Sequence, residues 1–164
     1  MHAIQTRTGH HRCMADEIGL RPAVQADAAA VADAWLTAFR ETYAFPPAHG
    51  DAEVREWVRT RLLPEAEVWV ADAAGEVVRF MALRNGWVEQ LYLRGPWTGR
   101  GIGSRLIALA KARSPAGLQL WTFQVNAGAR RFYERHGFVA AEMTDGDNQE
   151  GQPDVRYAWT GAIG

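Results

Sequence analysis

The apolar positions of this chain change their spacing several times, and each change marks an element. Ile18-Gly19-Leu20-Arg21-Pro22 reads as one short strand. From Asp27, placed as a helix N-cap, Val31, Trp35, Ala38 and Phe39 recur at helical spacing. Tyr43-Ala44-Phe45-Pro46-Pro47 breaks that run, because paired prolines cannot continue a helix. Asp51 opens a second helix with Val54, Trp57, Val58 and Leu62 on one face, predicted to stop at Pro64. Strand-like runs follow at 67–71, 77–83 and 87–93. Ala73-Ala74-Gly75 and Arg84-Asn85-Gly86 between them are tight turns, which predicts an antiparallel meander.

The second half reads as strand, glycine-rich turn, helix over 101–113 and apolar strand over 118–125. Ile102, Leu106, Leu109 and Ala110 form the buried face of that helix. Asn126 then precedes a helix carrying Ala129, Phe132, Tyr133 and His136, closed by Gly137. Residues 138–143 and Asp154–Trp159 form a last hairpin around the polar loop 144–153. The strand–helix–strand unit implies a locally parallel pair inside a single α/β domain over 16–164. Residues 1–15 lack periodicity and are expected to be a loose leader.

Composition narrows the class. At 164 residues the chain fits one domain. A net charge of -1, with both signs dispersed, argues against a nucleic-acid binder with a basic face. No apolar run is long enough to cross a bilayer, and the N-terminus lacks the order of a secretory signal. The single cysteine, Cys13, cannot form an internal disulfide and suits a reducing cytoplasm. Cys13 with His2, His10 and His11 suggests metal ligands only weakly beside the leader reading, so no metal is expected. Lys111 is the one lysine, so cationic work falls to arginine.

The chemistry concentrates in Thr98-Gly99-Arg100-Gly101-Ile102-Gly103, between a strand and a helix. Glycines at alternate positions permit positive φ angles and close backbone approach. Consecutive N–H groups then converge on an anion, reinforced by the helix dipole, and Arg100 adds charge. A dinucleotide fingerprint needs a different glycine spacing, and a P-loop needs lysine followed by serine or threonine where this chain has Ser104-Arg105. The plain alternative is a tight strand-to-helix turn with no ligand.

The order of strand, glycine turn, helix, strand, asparagine and tyrosine-bearing helix resembles the GNAT superfamily of N-acetyltransferases. The turn at 98–103 is similar to that family's pyrophosphate motif, Leu91-Tyr92-Leu93 to the strand before it, and the segment 126–138 to its second signature. The similarity spans roughly residues 17–159. Thr98 departs from the arginine or glutamine usual at its position, and Gly95-Pro96 is also unusual. The resemblance implies a mixed, mostly antiparallel sheet of six to seven strands flanked by about four helices. Acetyl-CoA would be the co-substrate, its pantetheine lying between splayed strands and pairing with main-chain groups near Leu91 and Leu93. Cofactor contacts would come from Leu91, Tyr92, Leu93, Thr98, Gly99, Arg100, Gly101, Ile102, Gly103, Ser104 and Asn126.

By the same resemblance Tyr133 would protonate the leaving thiolate during direct attack by an amine; otherwise it belongs to a packing stripe with Phe132 and Ala129. Asn126 would bind pantetheine, cap the following helix, or do both. Glu89, on the strand beside the expected thioester, is the candidate general base, against a strand-end carboxylate in water or a water relay. The acceptor cleft would draw on Tyr43, Phe45, His49, Glu150 and Asp154, where acids suit a cationic amine and aromatics form walls. Trp35, Trp57 and Trp121 fall on core patterns. The acceptor is a small-molecule or peptide amine, and a homodimer through the outer strand Asp154–Trp159 is open. A catalytically silent CoA-binding module is the alternative to an enzyme.

Overall fold

Two hairpins with Ala74-Gly75 and Asn85-Gly86 at their tips organise the first half of the sheet. All four turn residues adopt positive φ, 52° and 90° in the first and 51° and 79° in the second, as two-residue hairpin turns require. The computed structural model describes residues 17–93, 97 and 99–161. The expected leader, with Cys13 and its histidines, and Thr98 and Gly95-Pro96 of the turn region lie outside these. The hairpins join β2 (Glu67–Ala73), β3 (Glu76–Arg84) and β4 (Trp87–Leu91), and β1 (Ile18–Pro22) pairs antiparallel with β2. After the glycine turn come α4 (Ile102–Arg113), β5 (Leu118–Phe123), α5 (Ala127–Arg135), β6 (Val139–Met143) and β7 (Asp154–Trp159). The sheet has seven strands in the order β1-β2-β3-β4-β5-β7-β6, antiparallel except where β4 meets β5.

Alternation along the strands builds two cores. Met81 and Leu83 of β3 face α4 and α5 with Leu106, Ile107, Phe132 and Tyr157. Phe80 and Ala82 face the other way, onto Val31 and Leu36 of α1 (Ala28–Thr42) and Val58 and Leu62. The second helical body begins as α2 (Asp51–Trp57), loosens into a π-helical turn (Val58–Leu62) and ends as α3 (Leu63–Glu65). Pro64 therefore does not stop the helix one residue early. It sits near the N-terminus of α3, just past the π-turn, where a missing N–H costs least.

Three further expectations change. Asp27 places no side-chain cap on α1; its carboxylate accepts from the Arg21 guanidinium at 2.8 and 2.9 Å and from Val24 N at 2.8 Å. Trp121 is 42% exposed, because its face of β5 carries Arg156 beside it in register and neither core takes it in. The outer strand is β6, whose five residues are all exposed. β7 is hydrogen-bonded on both sides, by β5 and β6, so it has no edge to offer a second copy.

Candidate active site

The site begins where two parallel strands fail to stay together. β4 and β5 pair only at Trp87 and Gln119, with Gln119 N donating to Gly86 O at 2.9 Å. Beyond that point they part, and a cleft of about 1250 Å³ opens between them. Leu91, Tyr92 and Leu93 line it from β4 and the residues after it. The Tyr92 carbonyl accepts a hydrogen bond from Arg79 Nη1 at 2.6 Å. Arg79, a lone charge in the apolar run of β3, is 6% exposed and was not singled out by sequence, though that isolation was its signal.

At the donor end of the cleft, Gly99 and Gly101 hold φ of 86° and 72°. Gly101 is the N-cap of α4 and, as a glycine, brings no side-chain cap to it. The first intrahelical bond runs from Arg105 N to Gly101 O, so the N–H groups of Ile102, Gly103 and Ser104 precede the ladder. A Cβ at Gly99 or Gly101 would meet nothing within 4 Å, whereas one at Gly103 would lie 2.8 Å from Leu93 Cδ2 and 3.3 Å from the Phe132 ring. The glycines thus divide their work. Gly99 and Gly101 shape an open main-chain cradle, and Gly103 lets α4 pack against the strand and α5. Arg100 stacks over Trp97 at 4.9 Å. The Ser104 hydroxyl pairs with His136 Nε2 at 3.1 Å, and burial, then the Lys111 and Arg135 charges, push that imidazole below its ordinary value. This cradle fits a pyrophosphate: its donors are main-chain, its helix is long, and the space above it is open.

α5 carries Tyr133 into the same cleft. The ring is 4% exposed, packed between Phe132, Phe138 and Tyr157. Burial first, then the Tyr43 phenol, raises its hydroxyl well above the ordinary tyrosine value. Such a phenol keeps its proton at neutral pH. Asn126 does cap α5, its Oδ1 accepting from Ala129 N at 3.1 Å. Its Nδ2 donates to the Tyr43 hydroxyl at 3.1 Å, so both ends of the amide are engaged within the protein. That bond links the end of α1 to the start of α5 across 83 residues of sequence.

The predicted acceptor residues separate into three groups. His49 and Glu150 line the cleft, with Tyr43 deeper in its wall. His49 Nδ1 lies 2.9 Å from Glu53 Oε2 and its Nε2 lies 3.2 Å from Gln149 Oε1, which bridges the α1–α2 loop to the β6–β7 loop. Glu53 and Gln149 hold the His49 imidazole above its ordinary value. Phe45 stands behind Tyr43, stacked on it at 5.0 Å and edge-on to Phe123 at 5.3 Å, and lines a shallower hollow. Asp154 borders the cleft but is 9% exposed, its carboxylate accepting from Thr144 Oγ1 and, at 3.1 Å, from Asn148 Nδ2. It anchors the β6–β7 loop.

Glu89 also lines the cleft, but it is the extra residue of a β-bulge: Ala82 pairs with Gln90 while Leu83 pairs with Val88. Its carboxylate accepts from Arg84 Nε at 2.7 Å. A carboxylate already holding a guanidinium must give up part of that ion pair to take a proton. Period-two alternation could not show the bulge or the partner. Gln90, beside it, accepts from Trp35 Nε1 at 3.0 Å and fixes the α1 wall of the cleft. Among the described residues, no group of His, Cys, Asp and Glu is arranged to hold a metal ion. No described helix is long and apolar enough to cross a membrane.

Known proteins agree with this geometry. Residues 64–140 match the acetyltransferase (GNAT) domain family. The peptidyl-lysine N-acetyltransferase YiaC of Escherichia coli is 27% identical over 120 residues, covering 73% of this chain and 82% of that protein. The apo-form solution structure of YjaB from Escherichia coli superposes with a TM-score of 0.72 at 26% identity, covering 89% of this chain and 99% of that one. The paia N-acetyltransferase of Thermoplasma acidophilum, solved in complex with coenzyme A, shares the fold at a TM-score of 0.66 and 19% identity, over 88% and 99% of the two chains. The chain is thus similar to GNAT acetyltransferases in sequence over residues 64–140 and in fold over most of its described length.

Proposed function

We propose that the protein moves an acetyl group from acetyl-CoA to a primary amine of a small molecule or peptide, by direct attack of the amine on the thioester. The observation that carries this reading is one continuous cleft, running from the N-terminus of α4, through the gap between β4 and β5, to Tyr133 and an acidic far end. The donor's pyrophosphate would sit on the N–H groups after Gly101, and its pantetheine would add to the open side of β4 near Leu91 and Leu93. The Thermoplasma acidophilum protein solved with coenzyme A, and yncA of Salmonella typhimurium solved with acetyl-CoA, share this fold, which supports the donor assignment.

Tyr133 serves as the acid in this scheme. As the amine nitrogen bonds to the carbonyl carbon, the C–S bond breaks and the phenol gives its proton to the departing sulfur. Burial keeps that proton in place at neutral pH, so the hydroxyl is present as a donor when negative charge builds on the sulfur. Deprotonation of the acceptor calls for a carboxylate or water, and Glu89 is placed on the right strand to act if its tie to Arg84 opens.

The test is thiol release from acetyl-CoA against a panel of alkylamines, polyamines and lysine-containing peptides. Amine-dependent release with a matching acetylated product supports the reading. Tight acetyl-CoA binding with no release from any amine would leave a silent CoA-binding module and contradict transfer.

A further inference from the structure

The cleft is lined by several acids, and most are committed to other work. Glu53 holds His49, Glu142 accepts from Arg156 Nε at 3.2 Å, Asp154 anchors its loop and Glu89 holds Arg84. Asp147 lines the cleft from an exposed position. Glu150 differs from all of these. It is half-buried, it lines the cleft, and its carboxylate forms no hydrogen bond or ion pair with another described residue. Its negative charge also adds, after burial, to the upward push on the Tyr43 and Tyr92 phenols.

We propose that Glu150, from the β6–β7 loop, is the carboxylate that receives the acceptor's ammonium group and takes the proton that frees its nitrogen for attack. This rests on the acetyl-transfer reading above and replaces Glu89 in the base role. The surroundings are suited to the task. An ammonium entering here meets an uncommitted, half-buried carboxylate in a cleft that the Tyr43 and Tyr92 rings also line, and aromatic faces add to the attraction for a cation. His49 lies near enough to be raised by the same charge, from the opposite loop. The protons balance. The ammonium loses one to Glu150, which later passes it to water. The nitrogen loses a second once the C–N bond has formed, and this restores the proton that Tyr133 gave to the sulfur of the departing CoA.

Two nucleophiles separate this role from a merely structural one. n-Butylamine is an ammonium ion at pH 7.5 and needs a base, whereas hydroxylamine is already neutral. Thiol release above the uncatalysed rate would be measured for the full chain and for Glu150→Gln, with acetyl-CoA affinity read by calorimetry on the same samples. The expected result is a loss of about 100-fold with n-butylamine, a far smaller loss with hydroxylamine, and an unchanged acetyl-CoA affinity. Equal losses with both nucleophiles, or full activity with n-butylamine, would overturn the assignment while leaving acetyl transfer intact. The same selective loss in Glu89→Gln but not in Glu150→Gln would return the role to β4. A wild-type protein that releases no thiol with either amine, nor with any amine of the panel above, would contradict acetyl transfer itself, and Glu150 with it.

Discussion

The two ends of the cleft are built on different principles. The donor end is made of main chain: two glycines at positive φ, a helix N-terminus and a strand left without its parallel neighbour. Its parts lie within about fifty consecutive residues, from β4 to α5. The acceptor end is made of side chains drawn from α1, α2, β4 and the β6–β7 loop, and is joined by contacts such as His49 to Gln149, 100 residues apart. A main-chain cradle tolerates change in its side chains but not in its glycines. A side-chain wall can be rewritten one residue at a time without disturbing the main-chain cradle.

The strongest way to break this contrast is through the residue at the centre. Tyr133→Phe removes only the phenol oxygen from a packed ring, so stability and acetyl-CoA affinity should hold while kcat falls about 100-fold. A fully active variant would reduce Tyr133 to packing. Gly103→Val comes next. Its Cβ would meet Leu93 and Phe132 too closely, and overpacking of this kind costs about 1–3 kcal/mol. The melting temperature should drop whether or not acetyl-CoA is present, and an unperturbed one would mean that the helix shifts freely.

Asn126→Ala tests the joint between the two ends, since it removes both the α5 cap and the bond to Tyr43. A loss of about 1 kcal/mol is expected from the cap alone. A cycle with Tyr43→Phe should show coupling in KM for the amine as well as in stability; strict additivity would mean that the ends are independent. The smallest effect concerns the bridge at the mouth. His49 is raised by Glu53, so its contribution is fully present below the unfolded pKa and is lost as pH rises through the higher folded value. KM for the amine should therefore rise modestly across that window in wild type and stay flat in His49→Ala.

The same division explains what could be read without a structure. Hairpin tips, the order of elements and the glycine turn are local features, set by Asn85-Gly86, by the spacing of Gly99, Gly101 and Gly103 and by a tyrosine at helical spacing in α5. Each follows from backbone geometry within a few residues. What failed was non-local. The partner of Asp27 is Arg21 rather than the first turn of α1, Trp121 sits on a face that neither core covers, and β7 inserts between β5 and β6. Glu89 reads as a lone strand carboxylate until the bulge and Arg84 come into view. Glu150 and Asp154 look alike in sequence, four residues apart, yet one is tied to its own loop and the other is not.

The most direct test of the account is calorimetric titration of acetyl-CoA into the wild-type protein and into Gly101→Val. A β-branched residue at φ 72° cannot hold the left-handed turn without strain, and the N–H groups that follow should lose their common aim. Binding in wild type, weakened by about tenfold or more in the variant, is the result this account predicts. Equal affinity in the two proteins would contradict the glycine cradle and everything built along the cleft from it.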